Sequence, residues 1–168
     1  MSSNNLDIDV SALPTPCYLV DERLLIKNLN TLSYVMEKTG CKILLAQKAF
    51  SMFYFYPLIG SYLSGTTASS LFEAKLGHEE MGKEVHIYAP AYSAADFREI
   101  IKICDHIVFN SFDEWRKWKG QVQASGRKIE CGIRINPEYA EIETDLYNPC
   151  FANSRLGTTL ANFDAADL

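Results

Sequence analysis

The sequence lacks the signatures of several common protein classes. It has five cysteines among 168 residues, at positions 17, 41, 104, 131 and 150, and none of them forms a Cys-x-x-Cys pair. Neither a zinc ribbon nor a disulfide framework is therefore indicated, and reduced thiols are expected. The segment 1–10 is polar and acidic, without the basic and apolar regions of a secretory signal peptide. A cytoplasmic location is expected.

Long apolar runs and basic clusters are also scarce. The most apolar stretch, 50–63, is interrupted by Pro57 and Gly60 and is shorter than the roughly 20 residues of a membrane-spanning helix. We interpret it as a buried helix and expect no membrane partner. The net charge is -5 and the basic residues are scattered, apart from a short cluster at 116–119. A nucleic-acid partner is therefore not expected.

Familiar catalytic motifs are missing as well. The sequence contains no Gly-x-Gly-x-x-Gly or P-loop pattern, no His-Glu-x-x-His pair and no Gly-x-Ser-x-Gly elbow. The three histidines, His78, His86 and His106, are isolated along the chain. We interpret each as a core or surface residue rather than a metal ligand.

What the sequence does contain is a regular alternation of strand-like and helix-like segments. A short strand is predicted at 17–20, and a helix then begins after Asp21 and ends before Gly40. Further strands are predicted at 42–47, 65–70, 84–89, 106–110 and 128–135, and helices start near Ser51 and span 71–81, 94–103 and 112–124. This pattern predicts one α/β domain over 13–168 with a parallel sheet, preceded by a flexible segment at 1–12.

Two parallel architectures compete for this pattern. An open, doubly wound sheet needs about five strands, whereas a (β/α)₈ barrel needs eight strands and about 250 residues. Length alone favours the open sheet, but the nucleotide-binding motifs that usually accompany it are absent. The segment after Pro137 is irregular and the chain looks incomplete.

Polar residues stand where several predicted strands end. In parallel α/β folds ligands bind outside the carboxyl ends of the strands. The residues found there are Lys48, Ser69, Ser70, Pro90, Tyr92, Asn110, Ser111, Arg134 and Asn136. Together they could hold a small anionic ligand. Lys48 could bind an anion as a point charge or, if its amine is neutral, attack a carbonyl to form a Schiff base.

Five short motifs carry a family resemblance. They are PCYLVD at 16–21, LLAQKAF at 44–50, ASSLFE at 68–73, RINPE at 134–138 and SRLG at 154–157. In this order and spacing they resemble the N-terminal part of carboxynorspermidine (carboxyspermidine) decarboxylase. That enzyme is a fold type III pyridoxal-phosphate enzyme of the alanine racemase and ornithine/diaminopimelate decarboxylase group. The similarity runs from about Leu13 to the end of the chain.

The resemblance implies a fold, a cofactor and a reaction. It implies about five strands of a (β/α)₈ barrel that continues beyond this chain into a β-rich domain, working as a homodimer. Lys48 would bind pyridoxal 5'-phosphate covalently, Ser70 and Glu73 would lie near the cofactor, and Arg134 would lie beneath it. Arg155 would lie near the cofactor edge or the dimer contact. The reaction would decarboxylate carboxynorspermidine or carboxyspermidine to a triamine in polyamine biosynthesis.

The sequence departs from the family pattern in two ways, and alternatives stay open. Thr67 stands where an acidic residue is usual. The family's glycine-rich phosphate-binding segment and the acidic residue that pairs with the pyridine nitrogen belong to segments outside these residues. This chain is therefore expected to be an incomplete portion, inactive alone, with a possible completing chain.

Another fold type III amino-acid decarboxylase or racemase is one alternative function. A non-catalytic binding or interaction protein built on a partial barrel is the other.

Overall fold

The computed structural model describes residues 9–142, 144, 147–151 and 153–164. Five strands alternate with helices along the chain. The strands are β1 (Leu44–Ala46), β2 (Gly65–Ala68), β3 (Glu84–Tyr88), β4 (His106–Phe109) and β5 (Glu130–Ile133). The α-helices are α1 (Glu22–Thr39), α2 (Tyr56–Gly60), α3 (Leu71–Glu80), α4 (Ala94–Ile103) and α5 (Phe112–Ala124). Short 3₁₀ turns occupy Val10–Ala12, Phe53–Phe55 and Leu160–Asn162.

The five strands form a single parallel sheet in the order β1-β2-β3-β4-β5. Each strand therefore pairs with the strand that precedes it in the sequence. A doubly wound sheet reverses its strand order near the middle, whereas a barrel adds its strands in one direction. The predicted parallel α/β class is confirmed, and the strand order is that of a barrel segment rather than of the open sheet that length alone favoured.

The two faces of the sheet differ in burial. Alternate residues of the central strands, such as Val85, Ile87 and Ile107, are almost inaccessible and pack against α3, α4 and α5. The intervening residues, such as His86, Tyr88 and Val108, are only partly buried. Successive side chains of a strand point to opposite faces. One face is thus covered by helices, and the other, called here the uncovered face, is open in the described part of the chain.

A second apolar core joins α1 and α2 to the β1 side of the sheet. Its buried members are Leu29, Phe55, Tyr56, Ile59, Leu63 and Met81. Helix α1 begins as predicted, because the Asp21 carboxylate accepts hydrogen bonds from the amides of Arg23 and Leu24. It ends at Gly40, whose φ of 71° is left-handed and whose amide donates to the Met36 carbonyl.

Three sequence predictions need correction or lie outside the described residues. The segment 17–20 is not a strand, because it pairs with none of the described strands. The helix predicted to start near Ser51 is instead the 3₁₀ turn Phe53–Phe55 followed by the five-residue α2, with Pro57 in its first turn. Of the predicted flexible segment 1–12, residues 1–8 lie outside the described residues. No described helix has the length and apolarity needed to cross a membrane.

Candidate functional site

Lys48 lies in the turn that follows β1, at the carboxyl edge of the sheet. The amides of Ala49 and Phe50 both donate to the Ala46 carbonyl, which closes this turn. The preceding residue, Gln47, is 2% exposed, and its side-chain oxygen accepts from the Tyr56 hydroxyl at 3.2 Å. Lys48 itself is exposed and has no hydrogen bond or ion pair with any residue that the structure describes. Hydrogen bonds thus hold the backbone of this turn in place, while the Lys48 amine is exposed and can react with a ligand.

Ser70 and Glu73 form a reciprocal cap at the start of α3. The Glu73 amide donates to Ser70 Oγ at 3.3 Å, and Glu73 Oε2 accepts from the Ser69 amide at 2.6 Å. This arrangement is a variant of the capping box in which Glu73 bonds the residue before the N-cap, and it accounts for the Ser-x-x-Glu spacing without any ligand. It also fixes the turn between β2 and α3, next to the Lys48 turn. Their predicted contact with a cofactor stays a prediction.

Arg134 follows β5 and lies over an aromatic ring of β3. Its guanidinium carbon is 4.7 Å from the centre of the Tyr88 ring, which is a cation–π contact. The Tyr88 hydroxyl donates to Asn110 Oδ1 at 2.7 Å. Burial raises the pKa of Tyr88, so its hydroxyl stays protonated and can serve as this donor. The contacts hold Arg134 against the sheet.

Asn110, directly after β4, anchors the segment that carries Arg155. Its Oδ1 also accepts from the Gly157 amide at 2.7 Å, and its Nδ2 donates to the Arg155 carbonyl at 2.9 Å. Gly157 has a φ of 85°, and an added Cβ would lie only 2.9 Å from the Asn136 amide nitrogen. The segment 154–157 is thereby held at the strand ends, while the Arg155 side chain remains exposed.

The predicted strand-end residues fall into two groups. Arg134, Asn110 and Arg155 come together through Tyr88. Lys48 also lies at the carboxyl ends of the strands, but it follows β1, the outer strand on the other side of the sheet. Four strand spacings separate β1 from β5, about 19 Å across a flat sheet. Curvature toward the uncovered face would shorten that span. The carboxyl ends of the strands are called here the rim. The described residues supply two parts of it, Lys48 after β1 and the group of Asn110, Arg134 and Arg155 near β4 and β5.

Two predicted rim residues are placed elsewhere. Tyr92 is 6% exposed and lies in the core between sheet and helices, where its hydroxyl donates to the Val108 carbonyl at 2.8 Å. Asn136 is 4% exposed, and its side-chain oxygen accepts from the Glu138 amide. Both side chains are therefore buried and have structural partners.

Tyr88 and a polar cluster at the amino ends of the strands were not predicted from the sequence. Tyr88 alternates with the buried Val85 and Ile87, so the period of two in β3 is the signal that could have placed it on the uncovered face. His86 and His106 are separated along the chain, but the register of the sheet brings them together. Their rings stack with centres 3.8 Å apart, beside Glu84.

The rim has the chemistry of a site for an anionic carbonyl compound. An exposed amine without a partner among the described residues can react with a carbonyl, and two guanidinium groups can bind phosphate or carboxylate. Pyridoxal 5'-phosphate has an aldehyde and a phosphate, so the residues present fit it.

Comparison with known proteins gives a consistent group of relatives. No family model matches the chain. It is 43% identical over 152 residues to a carboxyaminopropylagmatine decarboxylase from Synechocystis, covering 90% of this chain and 39% of the relative. It is 40% identical over 156 residues to a carboxynorspermidine/carboxyspermidine decarboxylase from Campylobacter jejuni, covering 93% of this chain and 40% of the relative. A carboxynorspermidine/carboxyspermidine decarboxylase from Herminiimonas arsenicoxydans is 38% identical over 145 residues, which are 86% of this chain and 39% of the relative.

A solved structure agrees with these relatives. The crystal structure of carboxynorspermidine decarboxylase from Campylobacter jejuni, complexed with norspermidine, superposes with a TM-score of 0.77 at 37% identity. The match covers 91% of this chain and 38% of that one. The chain thus spans about two-fifths of the length of the relatives it matches, and its five-stranded sheet corresponds to their N-terminal part.

Proposed function

We propose that this chain supplies the N-terminal strands of a pyridoxal 5'-phosphate-dependent decarboxylase that acts on a carboxylated polyamine. The observation that carries the proposal is Lys48, an exposed amine on a fixed turn at the carboxyl end of β1. The three relatives described above are named as decarboxylases of carboxylated polyamines. A barrel closed by further strands, a homodimer and a cytoplasmic location belong to the same proposal and rest on the resemblance.

Each rim residue has a role in this proposal. Lys48 provides the amine for the cofactor's aldehyde. Arg134, held on the Tyr88 ring, and Arg155, on the segment anchored by Asn110, provide positive charge for anionic groups. Ser70 and Glu73 keep the β2–α3 turn rigid beside the lysine. When bound, the cofactor supplies an electron-accepting pyridine ring for the loss of carbon dioxide.

The substrate is proposed to be a polyamine precursor with an α-carboxylate. Carboxynorspermidine and carboxyspermidine are the named substrates of two relatives, and norspermidine is the ligand of the solved neighbour. The Synechocystis relative adds carboxyaminopropylagmatine as a third candidate. These compounds share an aminopropyl unit with a terminal carboxylate. An enzyme can therefore distinguish them only by contacts to the end of the substrate that is remote from the carboxylate.

The role of Lys48 can be tested by chemical trapping. The protein is mixed with pyridoxal 5'-phosphate, reduced with borohydride and digested, and the labelled lysine is identified by mass spectrometry. We expect the label on Lys48, and its loss in Lys48→Arg, which keeps the charge. Lys83→Arg, at an exposed position, is the matched control and should label like the unaltered protein. Equal labelling of Lys48→Arg would refute the proposed role.

The reaction can be tested by product analysis. The protein, alone and with a polypeptide that supplies the remaining strands, is given each of the three carboxylated polyamines, and also ornithine, lysine and diaminopimelate. Carbon dioxide and a polyamine product are expected only from the carboxylated polyamines. Activity on the amino acids alone would indicate another decarboxylase of the same fold. Label on Lys48 without any turnover of the completed protein would indicate a binding protein instead.

A further inference from the structure

The opposite end of the sheet carries a second cluster of reactive side chains. Glu84 and His86 lie on β3 and His106 begins β4, all three on the uncovered face near the amino ends of the strands. The register of the sheet places His86 directly beside His106. Their side chains are 31%, 23% and 27% exposed, in that order, so they are partly desolvated yet reachable. The cluster therefore lies near the amino ends of the strands, whereas Lys48 lies at their carboxyl ends.

The three side chains converge on one small volume. Glu84 Oε2 is 3.2 Å from His86 Nε2 and 3.9 Å from His106 Nε2, and one atom from each residue lies within 4.8 Å of the other two. Ligands of a tetrahedral zinc ion, at about 2.0–2.1 Å from the metal, are about 3.3 Å apart. The two distances from Glu84 bracket that value, and one nitrogen of each imidazole lies within 4.8 Å of the other, so side-chain rotations that shorten the longer separations would bring all three atoms into coordination.

Two neighbouring charged residues orient the cluster. Glu130, on β5 beside His106, places its Oε2 3.5 Å from His106 Nδ1. A carboxylate behind one imidazole nitrogen directs the other nitrogen toward a metal, as in many zinc sites. The Lys42 ammonium pairs with Glu84 Oε1, which leaves Oε2 facing the histidines. Lys42 also balances one of the two acidic charges.

Without an ion the cluster is only partly satisfied. Glu84 Oε2 is within hydrogen-bonding distance of His86 but not of His106. The two imidazoles stack at an interplanar angle of 21°, so protonating both would place two positive charges side by side. A divalent ion would instead draw both imidazoles to one centre. Two imidazoles and one carboxylate suit zinc and similar transition metals, whereas calcium and magnesium prefer oxygen ligands.

We propose that Glu84, His86 and His106 form a binding site for a divalent transition-metal ion of the zinc type. Three protein ligands leave a fourth position for water. Because the ligands come from adjacent strands, the ion would link β3 to β4. It would also stabilise the native chain by mass action, since the unfolded chain does not preform the site.

The site can be tested with cobalt as a spectroscopic substitute for zinc. Metal-free protein is titrated with Co²⁺ and then with Zn²⁺. We expect visible bands of tetrahedral or five-coordinate cobalt at one ion per chain, with no thiolate charge-transfer band, and their loss when zinc is added. His86→Gln and His106→Gln should each weaken binding by about tenfold or more, and Glu130→Gln by about tenfold. His78→Gln, on the exposed side of α3, is the control and should bind like the unaltered protein.

Several results would overturn this proposal. They are no binding at micromolar cobalt or zinc, unchanged binding in His106→Gln, or a thiolate band that assigns the metal to cysteines. Circular dichroism of each variant checks folding, and a zinc-dependent rise in the thermal midpoint provides a second readout. That rise should occur in the unaltered protein and in His78→Gln, but not in His106→Gln. Borohydride labelling of Lys48 is independent of all these measurements.

Discussion

At the scale of single residues, Asn110 connects two parts of the proposed rim. Its side chain accepts from the Tyr88 hydroxyl and the Gly157 amide and donates to the Arg155 carbonyl. We predict that Asn110→Ala frees the segment 154–157 and lowers the free energy of unfolding by about 1–2 kcal/mol. Amide hydrogen exchange at Gly157 should accelerate. Gln123→Ala, at an exposed position of α5, should change neither quantity. An unchanged exchange rate at Gly157 in Asn110→Ala would show that Asn110 is not the anchor.

Glu114 should make stability depend on pH. Its two oxygens accept from the amides of Tyr92 and Asn110, but burial outweighs these bonds and raises the pKa of the carboxyl above its usual 4.5. The native state therefore holds this proton more tightly than the unfolded state does. The stabilisation that comes from the protonated Glu114 carboxyl is full below about pH 4.5 and is lost as the pH rises through the raised pKa of Glu114.

Urea unfolding across this range tests that sign. The free energy of unfolding of the unaltered protein, relative to Glu114→Gln, should fall as the pH rises above about 4.5. Glu99→Gln provides a contrast, because the hydrogen bond from Lys102 lowers the pKa of Glu99. Relative to Glu99→Gln, the unaltered protein should gain stability as the pH rises toward 4.5 from below. A difference between the unaltered protein and Glu114→Gln that does not change with pH would contradict the assignment.

At the scale of elements, the lack of a side chain at Gly77 lets α3 pack closely against β2. A Cβ added at Gly77 in α3 would lie 2.2 Å from Thr66 Oγ1 on β2, whereas one at Gly120 in α5 would meet nothing within 4 Å. We predict that Gly77→Ala destabilises the protein by about 1–3 kcal/mol through overpacking. Gly120→Ala should stabilise it by about 0.5–1 kcal/mol through helix propensity. Thermal unfolding of both variants measures this, and equal shifts would contradict the close approach.

Element boundaries were predictable where a local signal marks them. Asp21 and Gly40 bound α1, and Ser93 and Ser111 cap α4 and α5 with their side chains, so these helices could be predicted closely from the sequence. The segment 17–20 has a strand-like composition but pairs with no described strand. Strand formation requires a partner, and a single segment carries no information about one.

For the whole molecule, the alternation of strands and helices predicted the parallel sheet but not its register. Lys48, Asn110 and Arg134 could be placed at strand ends because every parallel strand ends at the same edge. The contacts of Tyr88 with Asn110 and Arg134, and the pairing of His86 with His106, depend on which residues align across strands. A shift of one position would move each side chain to the other face, and that alignment is fixed by packing between distant segments.

The strand order also bears on how the protein is made. Every strand pairs with the one before it, and the paired positions are separated by only about 20 residues along the chain. Closing such short loops costs little entropy, and contacts of short range favour fast folding. Each strand and its helix can therefore join the growing sheet as the chain leaves the ribosome. Lys48, on the first strand, is therefore synthesised before Arg134 and Arg155, so the two parts of the rim can come together only after the intervening strands have been made.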